Sequence, residues 1–352
     1  MRRPPYRGFI LVTVLWFLLG LTIAAAALAA WVARSVDQAT LIRDQHEALR
    51  ELHSTRQTFI YLATTRPSRV SGLYMGTDLE VTLNAWRLDP FAGHSDTWSR
   101  RDLPLNGSPL RGIGGSVFSV QDEAGLLNPH LLGAQELEAV LRFMGVPGTE
   151  RRQLVRSLQQ QTRDAWAGRG AVRFRQGQGQ TGSAAPVGRN LLSPLEVFRI
   201  EAWRSLGNPN ATSQWRDGVT VLYEGLININ TVPDWMLPAA PGMTTADAAQ
   251  VLRVRQAQPM TSGLRLSETP GHQLDFMIYR ATPSQFLRLD LRHPEISQGR
   301  RYHLHLTPFA NGERPWRVEL TYPLTRLSDH DRPVEDSPRR LAHPLLATSP
   351  DP

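Results

Sequence analysis

His303 and His305 stand two residues apart in an alternating segment, Tyr302-His303-Leu304-His305-Leu306. A strand there would put both imidazoles on one face, where they could share a metal ion. No third ligand is visible beside them, so the expectation is a pair of exposed strand histidines, and the metal is left unassigned. Gly177 to Gly182 fits Gly-x-Gly-x-x-Gly by letter. It neither follows a strand nor opens a helix, so composition explains it and dinucleotide binding does not. Neither a Gly-x-Ser-x-Gly elbow nor a His-Glu-x-x-His helix occurs, which leaves hydrolase chemistry without residues. Cysteine is absent from the chain, excluding a disulfide framework, a thiolate zinc site and a Cys nucleophile.

Asn228 and Asn230, followed by Thr231, could contact a ligand. Asn side chains more often bond the nearby backbone, and here they would fix the turn into the next helix. Pro241-Gly242-Met243 before a helical segment looks like half of a helix-hairpin-helix, a device that approaches DNA phosphates through backbone amides. That device needs a second Gly two residues after the first; position 244 is Thr, and only Arg253 and Arg255 lie nearby. No nucleic-acid partner is expected on that basis.

These residues sit in a chain of 352, long enough for two or more domains. Hydrophobic residues at 41%, charged residues at 20%, 27 Gly and 26 Pro exclude a collagen-like, coiled-coil or wholly disordered protein. The net charge of +7 rests on arginine and favours anionic partners only weakly, since it says nothing about clustering. The apolar residues are unevenly spread. Phe9 to Ala33 is a run without a charge, preceded by Arg2, Arg3 and Arg7. At about 1.5 Å per residue it spans a bilayer core of roughly 30 Å, with the N-terminus cytoplasmic and the rest translocated. Ala27-Leu28-Ala29 offers small residues at signal-peptidase spacing. The run is about twice a usual signal core, though, which favours retention in the membrane.

Arg34 to Arg66 contains no Gly or Pro, and Leu41, Ala48, Leu52, Phe59 and Leu62 form a helical stripe before Pro67 stops it. One helix from Phe9 to Arg66 would be roughly 87 Å long, and its second half needs a domain to pack against. Glu80–Leu88 and Val117–Val120 read as strands around a loop at Gly93–Ser116. Helical signals then dominate: Gln135–Met144, a helix capped by Thr149, a Ser193-Pro194-Leu195-Glu196 capping box, a second box-like start at Thr231–Asp234 and a third at Thr244/Asp247. Arg173–Gly188 reads as a mobile connector. Phe286–Leu291, Tyr302–Leu306 and Trp316–Tyr322 are strands, and the Pro-, Asp- and Arg-rich end from Ser328 reads as disordered. A single sheet interrupted by a helical insertion accounts for this order.

Arg7-Gly8-Phe9 ahead of a long apolar segment resembles the class III signal of type IV pilins and type II secretion pseudopilins. The body resembles the K-class minor pseudopilin (GspK). Val120-Gln121-Asp122-Glu123-Ala124-Gly125-Leu126-Leu127-Asn128 looks like that family's Asp-Glu-x-Gly-x-x-Asn lead into its helical domain. Leu192–Glu196 is similar to its mid-domain helix start, Gly225–Thr231 resembles its Asn-x-Asn-Thr segment, and Pro283-Ser284-Gln285-Phe286 resembles its return to the sheet. The resemblance runs through most of residues 7 to 322.

It implies an α+β fold, a pilin-like long N-terminal helix packed on an antiparallel sheet, with a large all-α domain inserted between strands. The divisions expected are a leader at 1–8, a transmembrane helix at 9–33, its amphipathic continuation at 34–66, the first part of the sheet at 67–121, the insertion at 122–274, the remaining strands at 275–327 and a tail at 328–352. A prepilin peptidase would cut between Gly8 and Phe9 and the new terminus would be methylated. Phe9, Ile10, Leu11, Val12 and Thr13 would open the membrane anchor. Thr13 replaces the Glu of major pilins, a mark of the K class. Asn228, Asn230, Thr231 and Gly242 would shape the helical domain. The implied protein is non-enzymatic, sits in the bacterial inner membrane with its bulk in the periplasm, and joins the I-, J- and H-class minor pseudopilins and the major pseudopilin. Calcium binds one branch of the family, but the corresponding Leu158–Trp166 holds Gln159-Gln160-Gln161 and only Asp164 as an acid. Since calcium takes six to eight oxygen ligands, no cofactor is expected. The competing reading is a membrane-anchored DNA-uptake component of a competence pilus.

Overall fold

A 57-residue helix, α1 (Phe9–Thr65), runs unbroken from the apolar segment into the body of the protein. The computed structural model describes residues 9–70, 72–76, 102–175, 191–204, 206, 209–223, 225–260, 278–307 and 314–324, with side chains from residue 11 onward except at 162–175. The strand expected at Glu80–Leu88, most of the Gly/Gln-rich connector, and the tail from Ser328 lie outside the described residues.

The absence of Gly and Pro past Arg34 lets α1 continue, and Pro67, which has no N–H to donate, ends it. From Leu11 to Glu47 its side chains are exposed apart from half-buried Ser35. Leu41, expected on the buried stripe, is 60% exposed. Packing begins at Ala48 and takes in Thr55, Phe59, Ile60, Leu62 and Ala63. About 14 residues between the charge-free run and Ala48, roughly 21 Å, therefore carry no cover among the described residues.

After α1 a short ladder, β1 (Ser68–Arg69) with β2 (Gly72–Leu73), leads to the main sheet. Its strands are β3 (Asn106–Arg111), β4 (Val117–Asp122), β7 (Phe286–His293), β8 (Ile296–Leu306) and β9 (Trp316–Leu324), in that order and all antiparallel. The neighbours β4 and β7 pair from Val117↔Arg292 to Asp122↔Leu287, so strands on either side of the insertion belong to one sheet. The loop expected at Gly93–Ser116 is corrected in part, because Asn106–Arg111 is a strand. It carries Pro109 and a register shift and buries only Leu110. With one inward apolar residue it has no readable alternation, and its pairing with β4 supplies what its own residues do not. Among the described residues β3 and β9 are the sheet's edges, and both resist strand addition: β3 through Pro109 and its shift, β9 through Pro323 and a register shift at its charged centre.

Alternation divides the sheet's two faces. Phe118, Val120, Leu287, Leu289, Leu291, Tyr302 and Leu304 pack on Phe59, Ile60, Leu62 and Ala63 of α1, with the Phe59 and Phe118 rings 6.3 Å apart. Each such side chain removed from water contributes about 1.5–3 kcal/mol. The turn between β3 and β4 is tied to the helix as well. Ile113 N–H donates to Thr55 Oγ1 (2.9 Å) and Gly115 N–H to Glu51 Oε2 (2.7 Å), while His293 Nε2 lies 3.0 Å from the same carboxylate. Gly114 turns there with φ +62°, and a Cβ would strike the Glu51 carboxylate.

Between β4 and β7 lies the insertion. A 3-10 turn (Glu123–Gly125) precedes α2 (Ala134–Phe143) and α3 (Gly148–Arg175), then a 3-10 turn (Pro194–Arg199), α4 (Glu201–Arg204), α5 (Pro209–Gly218), β5 (Ile227–Asn228), a 3-10 turn (Asp234–Ala239) and α6 (Thr245–Ala257). Thr149 falls inside the first turn of α3 rather than before it. Thr244 caps α6 as expected, with Asp247 N–H donating to Thr244 Oγ1 at 3.2 Å and Thr244 N–H to Asp247 Oδ2 at 2.9 Å. Two other starts become 3-10 turns. Ser193 Oγ accepts from Leu195 N–H, but Glu196 reaches Leu192 N–H instead of closing the box. The turn at Asp234 has Pro233 before it, which has no side chain to cap with. Trp203 and Trp215, 4.5 Å apart, centre this core and donate their indole N–H groups to Leu154 O and Pro194 O. β6 (Tyr279–Arg280) pairs in parallel with β5 inside the insertion, so the main sheet resumes only at Phe286.

Candidate functional site

The chain leaves the sheet at Asp122 and returns at Ser284, and the two crossings meet. Asp122 is wholly buried. Its Oδ1 accepts from Ser284 Oγ–H (2.6 Å), Ser284 N–H (3.1 Å) and Ala124 N–H (3.1 Å). Its Oδ2 accepts from Asn228 Nδ2–H (2.8 Å) and Thr231 Oγ1–H (3.2 Å). Burial pushes the Asp122 carboxyl up, while the donors from Ser284, Asn228 and Ala124 pull the other way; the net direction is upward. Gln121 Nε2 donates to Thr231 O at 2.7 Å. Gly125 lets the chain pass against Thr231, since a Cβ there would lie 2.4 Å from Thr231 O.

Three of the residues singled out in the sequence are thus brought together. Asn228 Oδ1 accepts from Asn230 N–H at 3.1 Å, the local backbone bond expected, but the Asn228 amide N–H reaches across to Asp122. Asn230 works at long range too: its Nδ2 donates to Met260 O and Ala281 O (2.8 and 2.9 Å), and its Oδ1 accepts from Met260 N–H (2.8 Å). Thr231 joins the Asp122 knot rather than starting a helix. Gly242 sits apart with φ +67°, and a Cβ added there would meet no atom within 4 Å, so backbone conformation is its requirement. Arg255 of the supposed DNA hairpin is turned inward, donating to Val232 O (2.7 Å) and Ile229 O (3.2 Å) and pairing with Asp234; burial lowers it to about 10. Gly8 lies outside the described residues, Phe9 and Ile10 open α1, and Leu11, Val12 and Thr13 are exposed on it.

A layer of charge extends from the knot across the face of the sheet turned away from α1. Arg301 grips Asp290 with two bonds (2.7 and 2.6 Å) and also donates to Asp217 Oδ1 (2.9 Å) and Arg216 O (3.1 Å). Arg288 donates to Asp217 O at 2.9 Å, and Arg216 pairs with Asp217 at 3.0 Å. Burial opposes the ionised Asp217, Asp290 and Glu123, yet Arg301 beside the two Asp side chains and His303 beside Glu123 hold all three carboxyls below their ordinary range.

The expected exposed pair of histidines is corrected at His303, which is 1% exposed. Its Nδ1 lies 2.5 Å from Glu123 Oε1 and its Nε2 3.3 Å from the Tyr322 hydroxyl. An ionised Glu123 can only accept, so Nδ1 carries the hydrogen. His305 instead stacks on Phe286 at 4.1 Å and contacts Glu319. The two rings do not converge, and the described residues hold no group of three potential metal ligands.

Asp122, Glu123, Asp217, Arg288, Arg301 and Ser284 are not among the site residues that the sequence points to. Asp122, Glu123 and Ser284 do stand in the family-like motifs. For Asp217 and the two arginines the only local signal is a charge at an alternating strand position or a helix end, indistinguishable from a solvated face.

The geometry defines an α+β protein: a rod whose first half is long and apolar enough to cross a membrane, an antiparallel sheet on the rod's other half, and a helical body joined to the sheet by a polar seam. No family model matches the chain, and no curated protein does. Among solved structures it is similar to a chain of the GspK-GspI-GspJ complex of the type 2 secretion system from enterotoxigenic Escherichia coli, at 12% identity and a TM-score of 0.43, over 80% of this chain and 99% of that one.

Proposed function

We propose that this chain is a K-class minor pseudopilin of a type II secretion system: a non-enzymatic subunit stored in the inner membrane through Phe9–Ala33, with its body in the periplasm. The observation that carries this reading is the continuity of α1. A single helix passes from an exposed apolar half into the half that buries Phe59 and Leu62 against a sheet, and a helical body splits that sheet. A subunit of this shape packs by its apolar helix alongside others, while the bulk of the insertion would obstruct a subunit stacked above it, which suits a filament tip. Partners in this reading are the I-, J- and H-class minor pseudopilins and the major pseudopilin, and a prepilin peptidase cuts after Gly8.

The mature N-terminus tests it. The 352 residues contain no lysine, so the N-terminus carries the chain's sole primary amine. Mass spectrometry of chain purified from membranes is expected to find N-methyl-Phe9, with no reaction toward o-phthalaldehyde, which needs a primary amine. A terminus at Ala30 would mean an ordinary exported protein and end the proposal.

A further inference from the structure

Two separate apolar cores lie on either side of the charged layer. One gathers Leu137, Val140, Leu154, Trp203, Trp215, Val251 and their neighbours in the insertion; the other gathers α1 and the inner face of the sheet. Among the described residues none belongs to both. Between them lie the carboxylates of Glu123, Asp217 and Asp290, the guanidinium groups of Arg216, Arg288 and Arg301, the His303 imidazole and the Tyr322 hydroxyl. The chain crosses this layer at Asp122 and Ser284, which are bonded to each other.

Apolar area welds two bodies non-directionally, so they slide and repack together. A layer of ion pairs behaves otherwise. It contributes little net stability, because desolvation offsets the attraction, but it is satisfied in one orientation only, and removing one member strands its partner. Bodies joined without a large apolar interface are expected to move relative to one another.

We propose that the insertion and the α1–sheet unit are two separately cooperative bodies, and that the Asp217–Arg301–Asp290 and Glu123–His303 contacts form a latch. When the latch is broken, the insertion swings as a folded body about the Asp122/Ser284 knot. The knot is the hinge because it is where both covalent connections lie. Among the described residues the Asp122 carboxylate bonds only to Ser284 and Ala124 at the crossings and to Asn228 and Thr231 of the turn, not to the latch arginines.

The test uses the full chain in detergent micelles, wild type and Asp217→Asn, followed by amide hydrogen exchange. Peptides covering Leu137–Leu158 and Val219–Val221 in the insertion, and Leu287–Leu291 and Arg301–His303 in the sheet, are expected to stay within about twofold of wild type, because their amides are bonded within their own body. Since the chain lacks cysteine, spin labels at Gln135→Cys and Ser297→Cys report the distance between the bodies directly; the variant should broaden that distribution. Faster exchange in both cores would mean one cooperative unit and overturn the proposal, as would an unchanged distance distribution. Should Asp217→Asn fail to fold, wild-type exchange in rising sub-denaturing urea decides: separate opening transitions for the two cores support the latch, and a common one sinks it.

Discussion

Asp122, the last residue of the strand that leaves the sheet, accepts hydrogen bonds from both the hydroxyl and the backbone amide of Ser284, 162 positions later, at 2.6 and 3.1 Å. One carboxylate thereby closes the neck of the whole insertion. The same carboxylate takes Asn228 and Thr231, so the neck and the turn beneath it are a single hydrogen-bonded object.

Replacing Asp122 by Asn keeps the size but turns one acceptor into a donor facing donors. Unfolding of the full chain in detergent, followed by urea, should show a loss of about 2–4 kcal/mol. Ser284→Ala leaves the carboxylate four other donors, the amide of residue 284 among them, and should cost only about 1–2 kcal/mol. Equal losses would show that the neck does not depend on the carboxylate.

Acid should open the seam late. Glu123, Asp217 and Asp290 are held below their ordinary range in the folded chain, so their stabilisation is complete above the unfolded carboxyl value of about 4 and is lost as pH falls through and below it. Asp122 is shifted upward and acts in the opposite sense, favouring the folded state as pH falls. Three carboxyls outweigh one, and a pH series of urea midpoints should drop most steeply below about pH 4. A steepest drop near neutrality would contradict the assignment.

Along α1 the cost of truncation should change abruptly. Phe59, 0% exposed against Phe118, should lose about 3–5 kcal/mol on mutation to Ala. Leu41→Ala, at 60% exposure, should leave the unfolding of the isolated chain within about 0.5 kcal/mol of wild type. A large loss at Leu41 would place the start of packing earlier than Ala48.

Glu51→Ala removes the acceptor for Gly115 N–H and leaves His293 without its carboxylate. Amide exchange at Gly114–Ser116 should accelerate by about tenfold, a loss of roughly 1.4 kcal/mol, with α1 itself still protected around Phe59. Unchanged exchange at the turn would mean that Thr55 alone holds it.

Local order is largely legible in the residues. The unbroken helix to Pro67, the strands at Phe286, Tyr302 and Trp316, and the Thr244/Asp247 cap follow from period, breakers and capping chemistry, which are properties of neighbours in the chain. β3 is not legible because Leu110 is its single buried apolar residue. The 3-10 turns at Pro194 and Asp234 read as helices because a capping box specifies a start, not how far the helix runs.

Which charges are buried is decided by the tertiary structure alone. On β7 and β8, Arg288, Asp290, Arg301 and His303 occupy the positions that an antiparallel sheet usually gives to water. They are enclosed only because residues from a distant helical body, Asp217 and Glu123, arrive over that face. Periodicity records which side of a strand a residue is on; it carries no information about what covers that side, since the cover is set by contacts between segments that no local pattern connects.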